Sequence, residues 1–381
     1  MKNKNIYLLS LGHLCADLNQ GALSALLPFI VSAYFFSYAK ASSLVLFANL
    51  IGSMVQPVIG HISDKKDYPW IMPLGLLLAG AGMALTGFSA SFSLLAIGVL
   101  ISGLGIAMFH PQAAKTVNTL ASQNQKGSSL SLFSFGGNIG FSLGPLYTTI
   151  IISTFGLKGS IWFFAPQLLF SISYKQFKTQ PKLDTVLQKT KYKDNWKQFA
   201  KLCILIFSRS IVLYGVNTFL ALYFINHFGL SKANASILLS LFFAFSALST
   251  LFGGHLADKH GQPKIITFSF LLLSVSFLLF SITSHLVFAK LILIPLAIGL
   301  SLSYSPMVSL GQAYLPNHVG LASGVTLGLA VSIGGLFAPI LGLVGDHFGL
   351  STTIKIIALI TLIPALFSFF LEKKSNFSKH N

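Results

Sequence analysis

Charged side chains are scarce in this chain, and acidic ones are the scarcest. The 381 residues include 8 Asp and Glu in total, and charged residues of both signs make up 9%, where a soluble domain carries about 25%. Cysteine occurs only twice, which excludes a disulfide framework, and the 10 histidines are dispersed without metal-site spacing. No nucleophile and base stand at a supporting spacing, which argues against an enzyme.

Long apolar stretches fill most of the sequence instead. Hydrophobic residues make up 54% of the chain, and a spanning helix needs roughly 20 of them in succession. We predict an all-α integral membrane protein with twelve transmembrane helices in two pseudo-symmetric six-helix bundles. The predicted spans are 6–36, 40–63, 70–88, 92–120, 128–154, 159–175, 198–226, 232–257, 264–283, 286–313, 320–346 and 351–371.

One long polar segment, 176–197, separates six predicted helices from six. Lysine dominates it, so we interpret it as a solvated linker; a basic segment can also lie on anionic lipid. The predicted organisation is an N-terminal bundle over 1–175, a cytoplasmic linker over 176–197 and a C-terminal bundle over 198–381.

The distribution of lysines predicts the orientation of the chain. With a cytoplasmic N-terminus, 18 lysines fall in the inner segments and five in the outer ones, so the positive-inside rule places both termini in the cytoplasm. The net charge of +17 is then a topology signal and not a nucleic-acid footprint. His13, Asp17, Asn19 and Gln20 interrupt the first apolar segment, where an export signal would be uniformly apolar, so we expect the first helix to stay in the mature protein.

A short phrase occurs twice, 194 residues apart, and indicates an internal repeat. It reads Gly-His-Ile-Ser-Asp-Lys from Gly60 and Gly-His-Leu-Ala-Asp-Lys from Gly254. Duplicated membrane bundles are typical of transporters. Two copies in register favour a cytoplasmic gate over a plain solvated turn. The predicted gate residues are Gly60, Asp64, Lys65, Gly254, Asp258 and Lys259.

Asp17 is a carboxylate deep inside a predicted span. It lies roughly 16 Å into a hydrocarbon core about 30 Å thick, where a charge costs on the order of 2.5–3.5 kcal/mol. His13 precedes it by one turn on the same helix face, so the pair could share a proton or an ion. The alternative is that the two side chains only form hydrogen bonds to neighbouring helices.

Arg209 is the chain's single arginine and lies at a similar depth in the seventh predicted helix. The repeat offset makes it equivalent to Cys15, two positions from Asp17. We therefore predict that Arg209 pairs with Asp17 in one state or receives an anionic group of a substrate at the repeat interface. A snorkelling arginine is the weaker interpretation, because its stem cannot easily reach water from that depth.

Prolines mark the fourth and tenth predicted helices as broken. Phe109-His110-Pro111 in one and Tyr304-Ser305-Pro306 in the other are a pattern that points to binding sites in secondary transporters. His110 is then a candidate proton carrier or a packing histidine. The other candidate substrate-binding residues are Gln56, Gln112, Asn138, Tyr214, Asn217 and Tyr304. Gly140, Gly144 and Pro145 are predicted helix-packing residues, on a face that either slides or packs statically.

Several of these motifs together resemble the fosmidomycin-resistance family of efflux proteins, within the major facilitator superfamily. The resemblance covers nearly the whole chain, and departs from the family pattern at Gln112 and at Gln312-Ala313, where the family has acids. Asp17 is consequently left as the single deep carboxylate. The residues that carry the resemblance include Gln56-Pro57, Asp64-Lys65, Tyr68-Pro69-Trp70, Phe109-His110-Pro111, Gly136-Gly137-Asn138, Gly144-Pro145 and Leu315-Pro316.

The resemblance implies a proton-coupled antiporter of the bacterial inner membrane that exports a small drug-like or anionic molecule, a role tied to antibiotic resistance. Asp17, His13 and His110 would then couple protons, and Arg209 would bind the substrate. An uptake carrier or facilitator for a small metabolite anion is the alternative. We expect a functional monomer whose partners are the substrate, protons and lipid, without cofactor, metal or nucleic acid. A membrane enzyme is disfavoured because the sequence has no nucleophile–base pair with supporting spacing and no metal cluster, and a sensor is disfavoured because no sizeable soluble domain is present.

Overall fold

The chain is helical almost throughout. The computed structural model describes residues 4–65, 68–88, 91–121, 126–173, 193–318, 321–322 and 324–372. In chain order the helices are α1 (Lys4–Tyr34), α2 (Tyr38–Lys65), α3 (Ile71–Leu85), α4 (Phe92–Leu120), α5 (Lys126–Phe155), a 3₁₀ segment (Leu157–Phe163) with α6 (Phe164–Ser173), α7 (Trp196–Phe228), α8 (Lys232–His260), α9 (Gln262–Ile282), α10 (Leu286–Ser301), α11 (Tyr304–Tyr314), a π-helix (Gly324–Leu329) with α12 (Ala330–Phe348), α13 (Leu350–Ile360) and α14 (Leu362–Ser368).

The prediction of an all-α membrane protein is confirmed. Each of the twelve predicted spans falls on helical segments, and the fourth, 92–120, coincides with α4. Within the described ranges, 9 spans are long and apolar enough to cross a membrane, counting α10 with α11, the π-helix with α12, and α13 with α14. Apolar composition and length were sufficient for this result because lipid leaves the backbone no other hydrogen-bonding partners.

The expectation of two proline-broken helices is correct only for the tenth. The α4 helix continues through Pro111, whereas the tenth span is interrupted between Ser301 and Tyr304. Pro306 lies in the first turn of α11, where its missing N–H would have had no helical partner. Pro111 removes one donor from an otherwise intact ladder, which α4 tolerates.

The chain divides into two compact units. The first comprises Met1–Thr185 and Ser231–Ser240, and the second comprises Val186–Leu230 and Leu241–Asn381. The division falls inside the predicted linker 176–197, most of which lies outside the described residues. The units differ from the predicted bundles at Ser231–Ser240, the start of α8, which groups with the first unit.

In the first unit, α1 and α5 approach backbone to backbone. A Cβ on Gly136, Gly140 or Gly144 of α5 would overlap backbone atoms of Ser10, Leu14 or Ala22 of α1. Small residues at a four-residue spacing permit this approach. Gly140 and Gly144 thus lie on the face that contacts α1, while Pro145 continues within α5.

The 194-residue repeat is also visible in the structure, because equivalent glycines have equivalent neighbours in the two units. A Cβ on Gly60 would lie 3.9 Å from the Cβ of Pro111, and one on Gly254 would lie 3.7 Å from the Cβ of Ser305. Both members of the second pair are 194 residues after those of the first. Each unit therefore places its motif glycine against the same position of its fourth helix.

Candidate functional site

Two histidines of the first unit contact Asp17, so three titratable side chains lie together. His13 and Asp17 are one turn apart on α1, with 3.2 Å between Nε2 and Oδ2. His110 reaches the other carboxylate oxygen from α4, with 2.9 Å between Nε2 and Oδ1. The i, i+4 contact was predicted, but the contact with His110 brings together residues 93 apart in sequence. We call these three residues the triad.

Helix α5 packs against the triad at His13. The Nδ1 atom of His13 lies 2.7 Å from the carbonyl oxygen of Phe133, and the two rings stack with centroids 4.0 Å apart. One turn further, a Cβ on Gly137 would lie 2.5 Å from Asp17 Oδ2 and 2.6 Å from His13 Nε2. Phe133 and Gly137 are thus site residues that the sequence analysis missed. The available signal was their spacing of four residues, which puts them on one face of α5 as His13 and Asp17 are on one face of α1.

The hydrogen bonds of the triad require one proton more than a neutral imidazole and a carboxylate provide. A carbonyl oxygen only accepts, so Nδ1 of His13 donates to Phe133. An ionised Asp17 also only accepts, so Nε2 of His13 must donate as well; otherwise the proton is on the Asp17 carboxyl group. A neutral His110 can donate its Nε2–H to Asp17. With a neutral His110 and the additional proton, the triad is neutral overall, which makes a deep carboxylate tolerable.

The triad also has the donor types of a transition-metal site. The ligand atoms of His13, Asp17 and His110 lie within 4.8 Å of one another, and imidazole with carboxylate suits several metals. The dispersed histidines had indicated no such grouping. Spacing along the chain could not reveal it, because α1 and α4 meet only through tertiary packing.

Arg209 lies on α7 in the second unit and is 7% exposed. Its Nε donates to the carbonyl oxygen of Leu300 at 2.6 Å, and the guanidinium carbon lies 5.1 Å from the ring centroid of Tyr304. Leu300 is its one hydrogen-bond acceptor among the described residues, and none of their carboxylates pairs with it. A buried cation without a counter-ion is costly unless an anion joins it.

Tyr304 occupies in the second unit the position that His110 occupies in the first. The two residues are 194 positions apart, as are the repeated motifs. His110 contacts the acid of α1, and Tyr304 contacts the base of α7. The repeat has thus kept one contacting position, 110 and 304, whereas the charged partner Arg209 stands two residues before the equivalent of Asp17.

The remaining predicted binding residues lie on α2, α4, α5 and α7 and are buried or partly buried. Gln112 is buried with its Oε1 lacking a hydrogen-bond partner among the described residues. It is about 200° around α4 from His110, on the stripe where Thr116 contacts Met72 of α3. On α7, Asn217 is buried, and its Oδ1 has no hydrogen-bond partner within the described part of the chain. Gln56, Asn138 and Tyr214 are partly buried.

The predicted gate residues are at the ends of α2 and α8. Asp258 and Lys259 are exposed in the last turns of α8. Asp64 and Lys65 end α2, and their side chains lie outside the described residues. In the first repeat the predicted gate is therefore placed only by Gly60, whereas in the second Gly254, Asp258 and Lys259 are all described.

The model of the Major Facilitator Superfamily matches residues 9–339 and 202–380. The fosmidomycin resistance protein of Escherichia coli is 29% identical, covering 96% of this chain and 92% of that protein. A probable nitrate transporter of Staphylococcus epidermidis is 22% identical, covering 84% and 82% respectively. A crystal structure of a bacterial homologue of the human lysosomal transporter Spinster superposes with a TM-score of 0.83, at 16% identity, over 98% of this chain and 96% of that one.

Proposed function

Because the chain belongs to the Major Facilitator Superfamily, we propose that it is a proton-coupled antiporter that exports a small anionic or drug-like molecule by alternating access. The observation that supports this most is the triad, in which two histidines flank a deep aspartate. Family membership accounts for transport; the triad supplies the chemistry for coupling it to protons.

The triad acts as the proton site. Its hydrogen bonds are complete only with the additional proton that His13 and Asp17 share. When that proton leaves, either the His13 Nε2 lone pair faces the Asp17 carboxylate at 3.2 Å or a hydrogen bond is lost. The triad then has a net negative charge, which favours rearrangement of the helices that hold it. Protonation and conformation are linked in this way.

Arg209 acts as the anchor for the substrate's anionic group. The hydrogen bond to Leu300 orients the guanidinium through Nε, which leaves the two terminal nitrogens for a bidentate oxyanion. Tyr304 offers a ring face beside the same group. Proton release from the triad accompanies capture of the anion from the cytoplasm, and proton uptake on the outer side resets the carrier.

Export is the direction suggested by the fosmidomycin resistance protein, which is similar over nearly its whole length. Uptake of a small inorganic or metabolite anion is the second candidate. Similarity to a probable nitrate transporter favours it, as does a buried arginine that could bind any compact oxyanion.

Everted membrane vesicles test export, and right-side-out vesicles given nitrate test uptake, with proton movement as the readout in both. Respiration acidifies the interior of everted vesicles, and adding fosmidomycin outside should release protons through the transporter and reduce the pH gradient. Asp17→Asn should abolish this release, because an amide cannot take up the proton. Asp346→Asn, which alters an exposed carboxylate at the end of α12, is the matched control and should release protons as the wild type does.

Three results would contradict the proposal. Undiminished proton release by Asp17→Asn would remove the triad from coupling. Exchange that stops with a chelator and returns with added zinc would replace the proton by a metal ion. A wild-type chain that exchanges protons for neither fosmidomycin nor nitrate would exclude the proposed substrate class, whereas proton-coupled nitrate uptake alone would select the second candidate.

A further inference from the structure

The two histidines of the triad are held very differently. One turn of α5, Phe133 to Gly137, encloses His13 on three sides. The Phe133 carbonyl oxygen bonds Nδ1, the Phe133 ring stacks on the imidazole with an interplanar angle of 21°, and Gly137 faces Cε1 and Nε2. In a regular helix this carbonyl also accepts the N–H of Gly137, so its position is fixed by the helix. We call this turn the saddle.

The saddle depends on the absence of a side chain at Gly137. A Cβ there would lie 2.5–2.6 Å from Asp17 Oδ2 and from His13 Cε1 and Nε2. Atoms at such a distance must move, and the neighbouring α1 backbone is already in close contact with α5 at Gly136 and Gly140. The His13 ring would consequently have to tilt away from the Phe133 carbonyl.

His110 has no such enclosure. Among the described residues its one hydrogen-bond partner is Asp17, and its other contacts are edge contacts with the rings of His13 and Phe109. Its side chain is 22% exposed, compared with 12% for His13. Pro111 follows it and leaves the carbonyl of Ala107 without its helical donor, so α4 is less constrained at this point.

We infer that the two histidines have separate tasks: Gly137 and Phe133 hold His13 as the fixed partner of Asp17, and His110 is the histidine through which the triad is open to water. Gly137 is a positioning residue, acting through His13. The inference rests on the proposed proton coupling and adds a route to it. The titratable groups that face one another are Asp17 and His13 from α1 and His110 from α4; the saddle contributes none.

Site-resolved carbethoxylation tests the inference without a transported substrate. Diethylpyrocarbonate acylates accessible, unprotonated imidazole nitrogens, and mass spectrometry of the full chain in proteoliposomes reports each histidine separately. In the wild type, His110 should react several-fold faster than His13 at every pH sampled. In Gly137→Ala, the rate at His13 should rise towards that at His110, since the ring leaves the saddle.

Matched variants separate positioning from general damage. A Cβ at Gly52 of α2 would meet nothing within 4 Å, so Gly52→Ala should leave both rates unchanged. Phe133→Leu removes the stacked ring and keeps the carbonyl, so it should raise the His13 rate less than Gly137→Ala does. This second variant decides the matter if Gly137→Ala does not fold.

The inference is overturned if His13 and His110 react equally fast in the wild type. It is also overturned if His13 stays slow in a folded Gly137→Ala, or in Phe133→Leu where that variant alone folds. These rates do not depend on transport, so a failure of the antiport measurement with the expected reaction pattern would reject the function and leave the assignment of the histidines intact.

Discussion

His110 and Asp17 contact each other from α4 and α1, with 2.9 Å between Nε2 and Oδ1. At the equivalent position of the second unit, Tyr304 contacts Arg209 instead. The equivalent positions 110 and 304 therefore each contact a charged residue, an acid in the first unit and, two residues earlier in the repeat, a base in the second. This difference agrees with the proposed roles, in which the first unit binds the proton and the second unit binds the anionic group of the substrate.

Replacing Arg209 by lysine should weaken anion transport. Lysine keeps the charge but has neither the Nε donor that bonds Leu300 at 2.6 Å nor a planar fork for an oxyanion. We expect the concentration of fosmidomycin for half-maximal proton release to rise about tenfold or more, equivalent to about 1.4 kcal/mol. Lys355→Arg, at an exposed position of α13, is the control. An unchanged half-maximal concentration for Arg209→Lys would argue against direct binding.

The aromatic ring of Tyr304 should matter more than its hydroxyl group. The ring centroid lies 5.1 Å from the guanidinium carbon of Arg209, and a cation over a ring contributes about 0.5–2 kcal/mol. Tyr304→Leu should therefore weaken fosmidomycin-dependent exchange by a factor of roughly 2–30, while Tyr304→Phe retains most of it. Equal losses in both variants would assign the effect to the hydroxyl group instead.

Sequence reasoning was most successful where one helix contains the whole relationship. The spacing of His13 and Asp17 predicted their contact because residues four apart share a helix face. Long apolar runs predicted the helices because a bilayer permits few alternatives. In both cases local geometry is sufficient.

Partners on different helices could not be predicted in the same way. His110, Phe133 and Leu300 are separated from their partners by 93, 120 and 91 residues, and two of the three contacts use backbone carbonyls, which leave no mark in the sequence. The repeat offset pointed towards Arg209 as a partner of Asp17, and each of these residues has its described contacts within its own unit. Which faces meet depends on packing that single-sequence periodicity does not encode.

Asp194 should stabilise the second unit in a pH-dependent manner. It precedes α7 and accepts hydrogen bonds from the backbone N–H of Asn317 at 3.0 Å and from Nδ1 of His318 at 2.9 Å. Burial alone would raise the pKa of Asp194, but these hydrogen bonds outweigh it and lower the pKa. A lowered pKa means that the ionised form stabilises the fold.

The stabilisation should be fully present above the ordinary aspartate pKa of about 3.9 and be lost as the pH falls through the lowered value. Asp194→Asn should accordingly reduce the apparent unfolding temperature by a few degrees at neutral pH, and the difference from wild type should shrink only in strong acid. Light-scattering-corrected tryptophan fluorescence in detergent measures it. A difference that already disappears between pH 7 and pH 5 would contradict a lowered pKa for Asp194.

Adjacent glycines at the end of α8 should respond oppositely to alanine. A Cβ on Gly253 would overlap the carbonyl oxygen of Leu302, whereas one on Gly254 would lie at an ordinary contact distance, 3.7 Å from Ser305. Gly253→Ala should destabilise by about 1–3 kcal/mol through overpacking. Gly254→Ala should be neutral or stabilising by up to about 1 kcal/mol, because alanine is the better helix former. Apparent unfolding temperatures give both signs.

Gly254→Ala therefore tests whether Gly254 belongs to the predicted gate. Its side chain has room in the described conformation, so any slowing of fosmidomycin-dependent proton release must arise in another conformation or in the passage between them. We expect a several-fold slowing without loss of stability, and the same for Gly60→Ala, whose Cβ would be 3.9 Å from that of Pro111. Wild-type rates in both variants would remove these glycines from the gate and leave them as ordinary packing residues.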